Sequence, residues 1–156
     1  MSLNWIMRTP NGVNPPFVLL DGENVKYTSP QPIEIKLKAI QLEKPDVITI
    51  KGSIYLTDKR LVVLSTGAGN QDNDSFSLLY KDMISHKLEM PWFGSNSYKI
   101  LFKITSEQSG LNYLYTWQSN IQFPQGGAIQ FHEEFSKLKT WFDNNQEDEP
   151  LPAYTG

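Results

Sequence analysis

The chain contains no cysteine. That excludes disulfides, thiolate zinc sites and cysteine nucleophiles at one stroke. Only two histidines are present, His86 and His132, which leaves little for a metal centre or an acid–base pair. No apolar run approaches the roughly eighteen residues a membrane-spanning helix needs. Met1-Ser2-Leu3-Asn4-Trp5 also lacks the basic-then-apolar layout of a secretory signal. Basic charge is not in excess either: 14 Lys and Arg stand against 17 Asp and Glu, a formal net charge of −3. Sequence-specific or general nucleic-acid binding is therefore not expected, nor is bulk attraction to anionic membranes. An intracellular protein, in the cytoplasm or the nucleus, is the expectation.

What the chain has is alternation. In Val47 to Leu64, Ile48, Ile50, Ile54 and Leu56 alternate with Thr49, Lys51, Ser53 and Thr57. A strand repeats its facing every two residues, so this is a strand with one apolar side. Gly52 falls on the apolar side and marks a bulge, with a slip in register, or a close backbone approach. Thr57-Asp58-Lys59-Arg60 breaks the run, and Leu61 to Leu64 is apolar at every position, as in a strand covered on both faces. This hairpin is the element on which the rest must pack.

Residues 1–16 read as an irregular arm. Phe17–Leu20 and the Asp21-Gly22 turn open the domain proper, which runs over 17–143, with a short hairpin into Val25 and Tyr27. Ile33, Ile35, Leu37 and Ala39 alternate with Glu34, Lys36 and Lys38. Further strands are expected at Phe76–Tyr80, at Ile84, His86, Leu88 and Met90, at Tyr98 to Ile104, and at Leu111, Tyr113, Tyr115 and Trp117. That is about seven short strands, the pattern of an antiparallel barrel or sandwich. The period then changes: Ala128, Phe131, Phe135, Leu138 and Phe142 recur at helical spacing, and Glu133 with Lys137 is placed to pair at i, i+4. The stripe must cover an open end or face of the sheet, because a helix of this length does not stand alone. Residues 144–156 read as an acidic, solvated tail.

Catalysis finds no support here. His86 shares a face with Ile84 and Leu88 and reads as a core or semi-buried histidine; His132 falls at the edge of the helix stripe. Adjacent Glu133 and Glu134 point apart, and Gly67-Ala68-Gly69 lacks the following helix start of a phosphate cradle. Trp92 and Phe93, in Pro91-Trp92-Phe93-Gly94-Ser95-Asn96, read as packing residues; exposed, they would mark a binding surface instead. The chain is expected to be no enzyme and to need no cofactor or metal.

Gly52-Ser53-Ile54-Tyr55-Leu56-Thr57 with Arg60-Leu61-Val62-Val63-Leu64-Ser65 resembles the core of a GRAM domain. Pro91 to Asn96 and Gly126-Gly127-Ala128-Ile129-Gln130-Phe131 narrow the resemblance to the WW-domain-binding protein 2 family. It implies a pleckstrin-homology-like barrel: mainly β, about seven strands, capped by one C-terminal helix. It also implies a non-enzymatic adaptor for WW-domain proteins, including HECT-type ubiquitin ligases and transcription-linked regulators, with transcriptional coactivation as the role of animal relatives.

Two sets of residues are candidates for binding. Leu151-Pro152-Ala153-Tyr154 is similar to the Leu-Pro-x-Tyr variant of the WW ligand. Proline favours an extended helix that loses little entropy on docking; Pro152 would stack in the aromatic groove, Tyr154 would fill the next pocket and Leu151 would replace the usual first proline. The alternative is a phosphoinositide or membrane contact through the barrel. Lys36, Lys38, Lys59 and Arg60 are its candidate residues, with Lys99 and Lys103 as further ones, although lysines alternating with core positions are more often just the wet face of a sheet.

Overall fold

Most of the alternating stretches become strands in the computed structural model, which describes residues 3, 6–10, 14–66, 74–104 and 111–147. The strands are β1 (Val25–Thr28), β2 (Ile33–Ala39), β3 (Ile48–Thr57), β4 (Arg60–Ser65), β5 (Ser75–Leu79), β6 (Met83–Glu89), β7 (Ser97–Lys103) and β8 (Thr116–Gln122). A helix, α1 (Ala128–Glu147), follows them. All pairings are antiparallel, in the order β5-β4-β3-β2-β8-β7-β6, with β1 beside β3. The inward sets are those the alternation selects: Ile33, Ile35 and Leu37 on β2, Ile50, Ile54 and Leu56 on β3, Tyr98, Ile100 and Phe102 on β7, all buried. Each such side chain contributes roughly 1.5–3 kcal/mol by leaving water. Phe131 and Phe135 of the helix stripe complete this core, with Leu138 and Phe142 at its edge.

Gly52 is where β3 changes partners. It pairs with Ile33 of β2 on one side and Ser65 of β4 on the other, and a Cβ there would lie 1.8 Å from the Leu64 carbonyl oxygen. Close backbone approach is thus the reason for the glycine. The β2–β3 and β3–β4 registers each end at Gly52, and neither carries a shift. β4 is covered on both faces, as its unbroken apolar run requires. Leu61 and Val63 face the main core, while Val62 and Leu64 join Phe17 in a second cluster under Ile6, Leu19, Val25 and Tyr55. The described arm residues supply part of that cover and are tied down by Arg8, whose guanidinium meets Asp74 at 2.8 Å.

Several expectations give way to local chemistry. Leu111–Tyr115 is not strand: Asn112 folds the segment into a turn, its Oδ1 accepting from Leu114 N at 2.9 Å and its carbonyl from Trp117 Nε1 at 2.9 Å. β8 therefore starts at Thr116 and carries its inward set through Ser119 and Ile121. An irregularity between Met83 and Ser85 takes Ile84 out of the alternation, and it stands exposed. Phe17–Leu20 forms no strand with β1, which pairs with β3 instead. On the helix, Lys137 meets Glu134 at i, i+3 rather than Glu133. The helix also continues to Glu147, its last turns supported by Lys139–Asp143 at 2.7 Å and Asn145 Nδ2 to the Trp141 carbonyl at 2.8 Å.

Candidate functional site

The outward residues of β2, β8 and β7 form a lysine-rich surface. Antiparallel registry sets Lys36 opposite Asn120, Asn120 opposite Lys99, and Lys99 opposite Lys87 of β6. One pair along, Lys38 faces Gln118 and Gln118 faces Leu101. Lys36, Lys38, Val47, Lys99, Gln118 and Asn120 enclose a hollow of about 190 Å³. Lys36 and Lys99 lie two strand spacings apart, roughly 10 Å at the backbone, so their long stems allow both ammonium groups to reach one phosphate. Lys87 directly opposite Lys99 is an unfavourable like-charge pair for a sheet.

Carboxylates offset this charge only in part. Glu34 lies 3.5 Å from Lys36 and 3.9 Å from Lys51, and Glu89 lies 3.0 Å from Lys99. Between the lysines, the Asn120 side-chain oxygen is buried and accepts no hydrogen bond from the protein. A buried acceptor of this kind is ordinarily completed by a donor from outside the protein, water included. The surface thus sets several ammonium groups around a polar amide.

Sequence reasoning grouped Lys59 and Arg60 with Lys36 and Lys38; the fold separates them. Thr57, at the hairpin turn, is eight residue steps along β3 from Thr49, the partner of Lys36, roughly 26 Å of strand. Lys59 stands at that turn, its ammonium beside Gly22. Arg60 is buried. Its Nε donates to Glu23 Oε2 at 2.8 Å and its Nη2 to Glu23 Oε1 at 3.0 Å and the Val18 carbonyl at 3.2 Å, with the guanidinium 5.7 Å from the Phe17 ring centre. Thr57 Oγ1 donates to the same carboxylate at 2.6 Å. This guanidinium is committed to holding Phe17–Glu23 against β4 and has no donor directed at a ligand on the lysine surface.

Beneath α1, Tyr98 collects the two histidines. Its hydroxyl lies 2.8 Å from His86 Nδ1 and 3.3 Å from His132 Nδ1. A hydroxyl has one proton, so it donates to at most one of the two rings, and Ser136 is a further hydrogen-bond partner of the same hydroxyl. Burial pushes the Tyr98 hydroxyl up to about 12. His86 is not the core or semi-buried residue the alternation suggested but is exposed over much of its surface; partial burial of its ring, then Lys139 and His132, hold it below its ordinary value, against a smaller opposing effect of Asp143. The cluster packs on Phe131 and Phe135 and is part of the helix seating. Among the described residues, no three potential metal ligands come together.

Trp92 and Phe93 are not packing residues. They are 98% and 92% exposed at the tip of the β6–β7 turn. Leu151, Pro152 and Tyr154 lie outside the described residues. Lys87, Asn120 and the exposed aromatic pair are the features that reading along the chain missed, because membership of a surface depends on cross-strand register.

No protein-family model and no curated protein matches the chain. Among solved structures it is similar to the N-terminal PH domain of Vps36, at 16% identity over 94% of this chain and 96% of that one, with a TM-score of 0.59. A chain in a structure titled the 8S snRNP assembly intermediate is similar at 14% identity, covering 90% of this chain and 92% of that one, with a TM-score of 0.57. The class is thereby set: a pleckstrin-homology-like fold, mainly antiparallel β with a C-terminal helix. No described helix is long and apolar enough to cross a membrane.

Proposed function

We propose that the chain is a non-enzymatic binding module whose lysine surface takes up phosphoinositide headgroups at a membrane. The observation that carries this reading is the Lys36–Asn120–Lys99 row around a hollow, with Lys38 and Lys87 adjoining it. Several convergent ammonium groups suit a phosphate cluster better than a single carboxylate. The test is titration with inositol hexakisphosphate as a soluble probe. Wild type should bind in a salt-sensitive way, and Lys36→Glu/Lys99→Glu should weaken binding at least about tenfold, as expected for losing charge-assisted contacts. Equal binding by both proteins would reject the site.

The second reading is the WW-docking adaptor, favoured by one sequence observation: Leu151-Pro152-Ala153-Tyr154 follows the acidic stretch after α1. On it, the chain is a GRAM-domain relative of the WW-domain-binding protein 2 family. Its tail engages WW-domain proteins such as HECT-type ubiquitin ligases or transcriptional regulators, with coactivation in the nucleus or action in the cytoplasm following from the partner. A peptide of residues 147–156 should bind a WW domain at about micromolar Kd, the strength of one short motif. Tyr154→Ala should abolish that binding, and no difference between the two peptides would remove the motif from consideration.

A further inference from the structure

The turn joining β6 to β7 is unlike every other connection described here. Met90, Trp92 and Phe93 are 62%, 98% and 92% exposed and fall within four residues, with Trp92 and Phe93 bracketed by Pro91 and Gly94. Single exposed apolar residues are ordinary in soluble proteins; adjacent tryptophan and phenylalanine at this exposure are not. Pro91 fixes its own backbone angle, and Gly94 takes a φ of 93° that other residues rarely adopt. The tip therefore holds the two rings outward without needing them for its own shape. From Met90 to Tyr98 the chain carries no charged side chain.

The charge begins immediately behind the tip. The last pair of the hairpin is Glu89–Ser97, and two residues further in Lys87 faces Lys99, the outer end of the lysine row. Glu89, the only carboxylate on this hairpin's outward face, is covered by Lys99 at 3.0 Å. Two residues of strand are roughly 7 Å, and the turn extends beyond them. Apolar rings of an interfacial anchor sink about 5–10 Å, to the boundary between headgroups and acyl chains. Rings at that depth leave the ammonium groups of Lys87 and Lys99 among the headgroups. Tryptophan in particular favours this layer, where its ring is buried and its N–H stays wet.

We propose that the β6–β7 turn is a membrane anchor: Trp92 and Phe93 insert into the interface of an anionic bilayer while the lysine row contacts its phosphates. The charge half of this rests on the lysine-surface reading above. Insertion itself rests on the exposed rings and the uncharged tip. An anionic bilayer is the occupant chosen because apolar tip and basic flank occur together, in the order a membrane presents its layers.

The experiment uses the full chain with vesicles of phosphatidylcholine alone, of phosphatidylcholine with one-fifth phosphatidylserine, and of the latter mixture with acyl-brominated phosphatidylcholine. Wild type should sediment with the anionic vesicles only, and the brominated lipid should quench its tryptophan fluorescence. Trp92→Ser/Phe93→Ser should weaken sedimentation by about 30-fold, equivalent to half-burying two aromatic rings, and should lose the quenching. Rings this exposed support no core, so the variant should fold as wild type. If the variant sediments and quenches like wild type while Lys36→Glu/Lys99→Glu does not sediment, insertion is wrong and the lysine surface stands. If the lysine variant sediments normally and the aromatic variant fails, the charge reading falls and the anchor stands. Wild type that ignores all vesicles overturns the anchor. So does wild type that instead dimerises through Trp92 and Phe93.

Discussion

Two groups of cations in this molecule look alike in sequence and behave oppositely. Arg60 is closed in: its side chain is 8% exposed, the Glu23 carboxylate it meets is 0% exposed, and backbone and Thr57 complete the network. Lys36, Lys38, Lys87 and Lys99 stand on an open surface, set against one another across strands and only partly offset by Glu34 and Glu89. A buried charge survives folding only when fully partnered, and its partners are then unavailable to a ligand. Charges left short of partners are available, at a small cost in stability. The difference separates cations that hold the fold from cations that can act.

That contrast can be pressed hardest at the buried pair. Glu23→Ala leaves the Arg60 guanidinium enclosed without its carboxylate, and should cost about 3–5 kcal/mol, read as a lower midpoint in chemical denaturation. Lys36→Glu/Lys99→Glu should change stability by less than about 0.5 kcal/mol while weakening the soluble phosphate probe at least about tenfold, which reverses the pattern of Glu23→Ala. Lys87→Glu sharpens the point further. Replacing the repulsion opposite Lys99 by attraction should stabilise the sheet by about 0.5 kcal/mol and yet weaken anion binding; a loss of stability would show that the surface is not under like-charge strain.

The smallest effect concerns pH. His86 is held below its ordinary 6.5 in the folded protein, so the unfolded chain takes up the proton first as pH falls. Stability should be flat above about pH 7 and decline below about 6.5 until the folded imidazole also titrates. His86→Gln should flatten that decline, measured as thermal midpoint against pH. A slope unchanged by the substitution would place its origin elsewhere.

Most of the architecture was legible because alternation and helical period are properties of neighbours in the chain. β2, β3, β4, β7 and the apolar stripe of α1 follow directly from residues such as Ile33, Ile35 and Leu37 or Phe131 and Phe135. Where the reading failed, a local group overrode the pattern: Asn112 bent Leu111–Tyr115 into a turn, and an extra residue at Ile84 displaced the start of β6. The lysine surface was less legible for a different reason. Lys36 and Lys99 are 63 positions apart in the chain and meet only through β8, whereas Lys59 and Arg60 are adjacent in sequence and invited a grouping that burial of Arg60 dissolves. Trp92 and Phe93 misled because aromatic residues are usually interior.

The doubly covered strand β4 has a practical corollary. Val62 and Leu64 are kept dry by Phe17 and by side chains that include Ile6 and Leu19. A shortened protein beginning at Phe17 would lose Ile6 from that lid and the Arg8 tether to Asp74 along with it. Such a fragment should be stickier where Val62 and Leu64 lose their cover, and its self-association would resemble ligand-driven assembly.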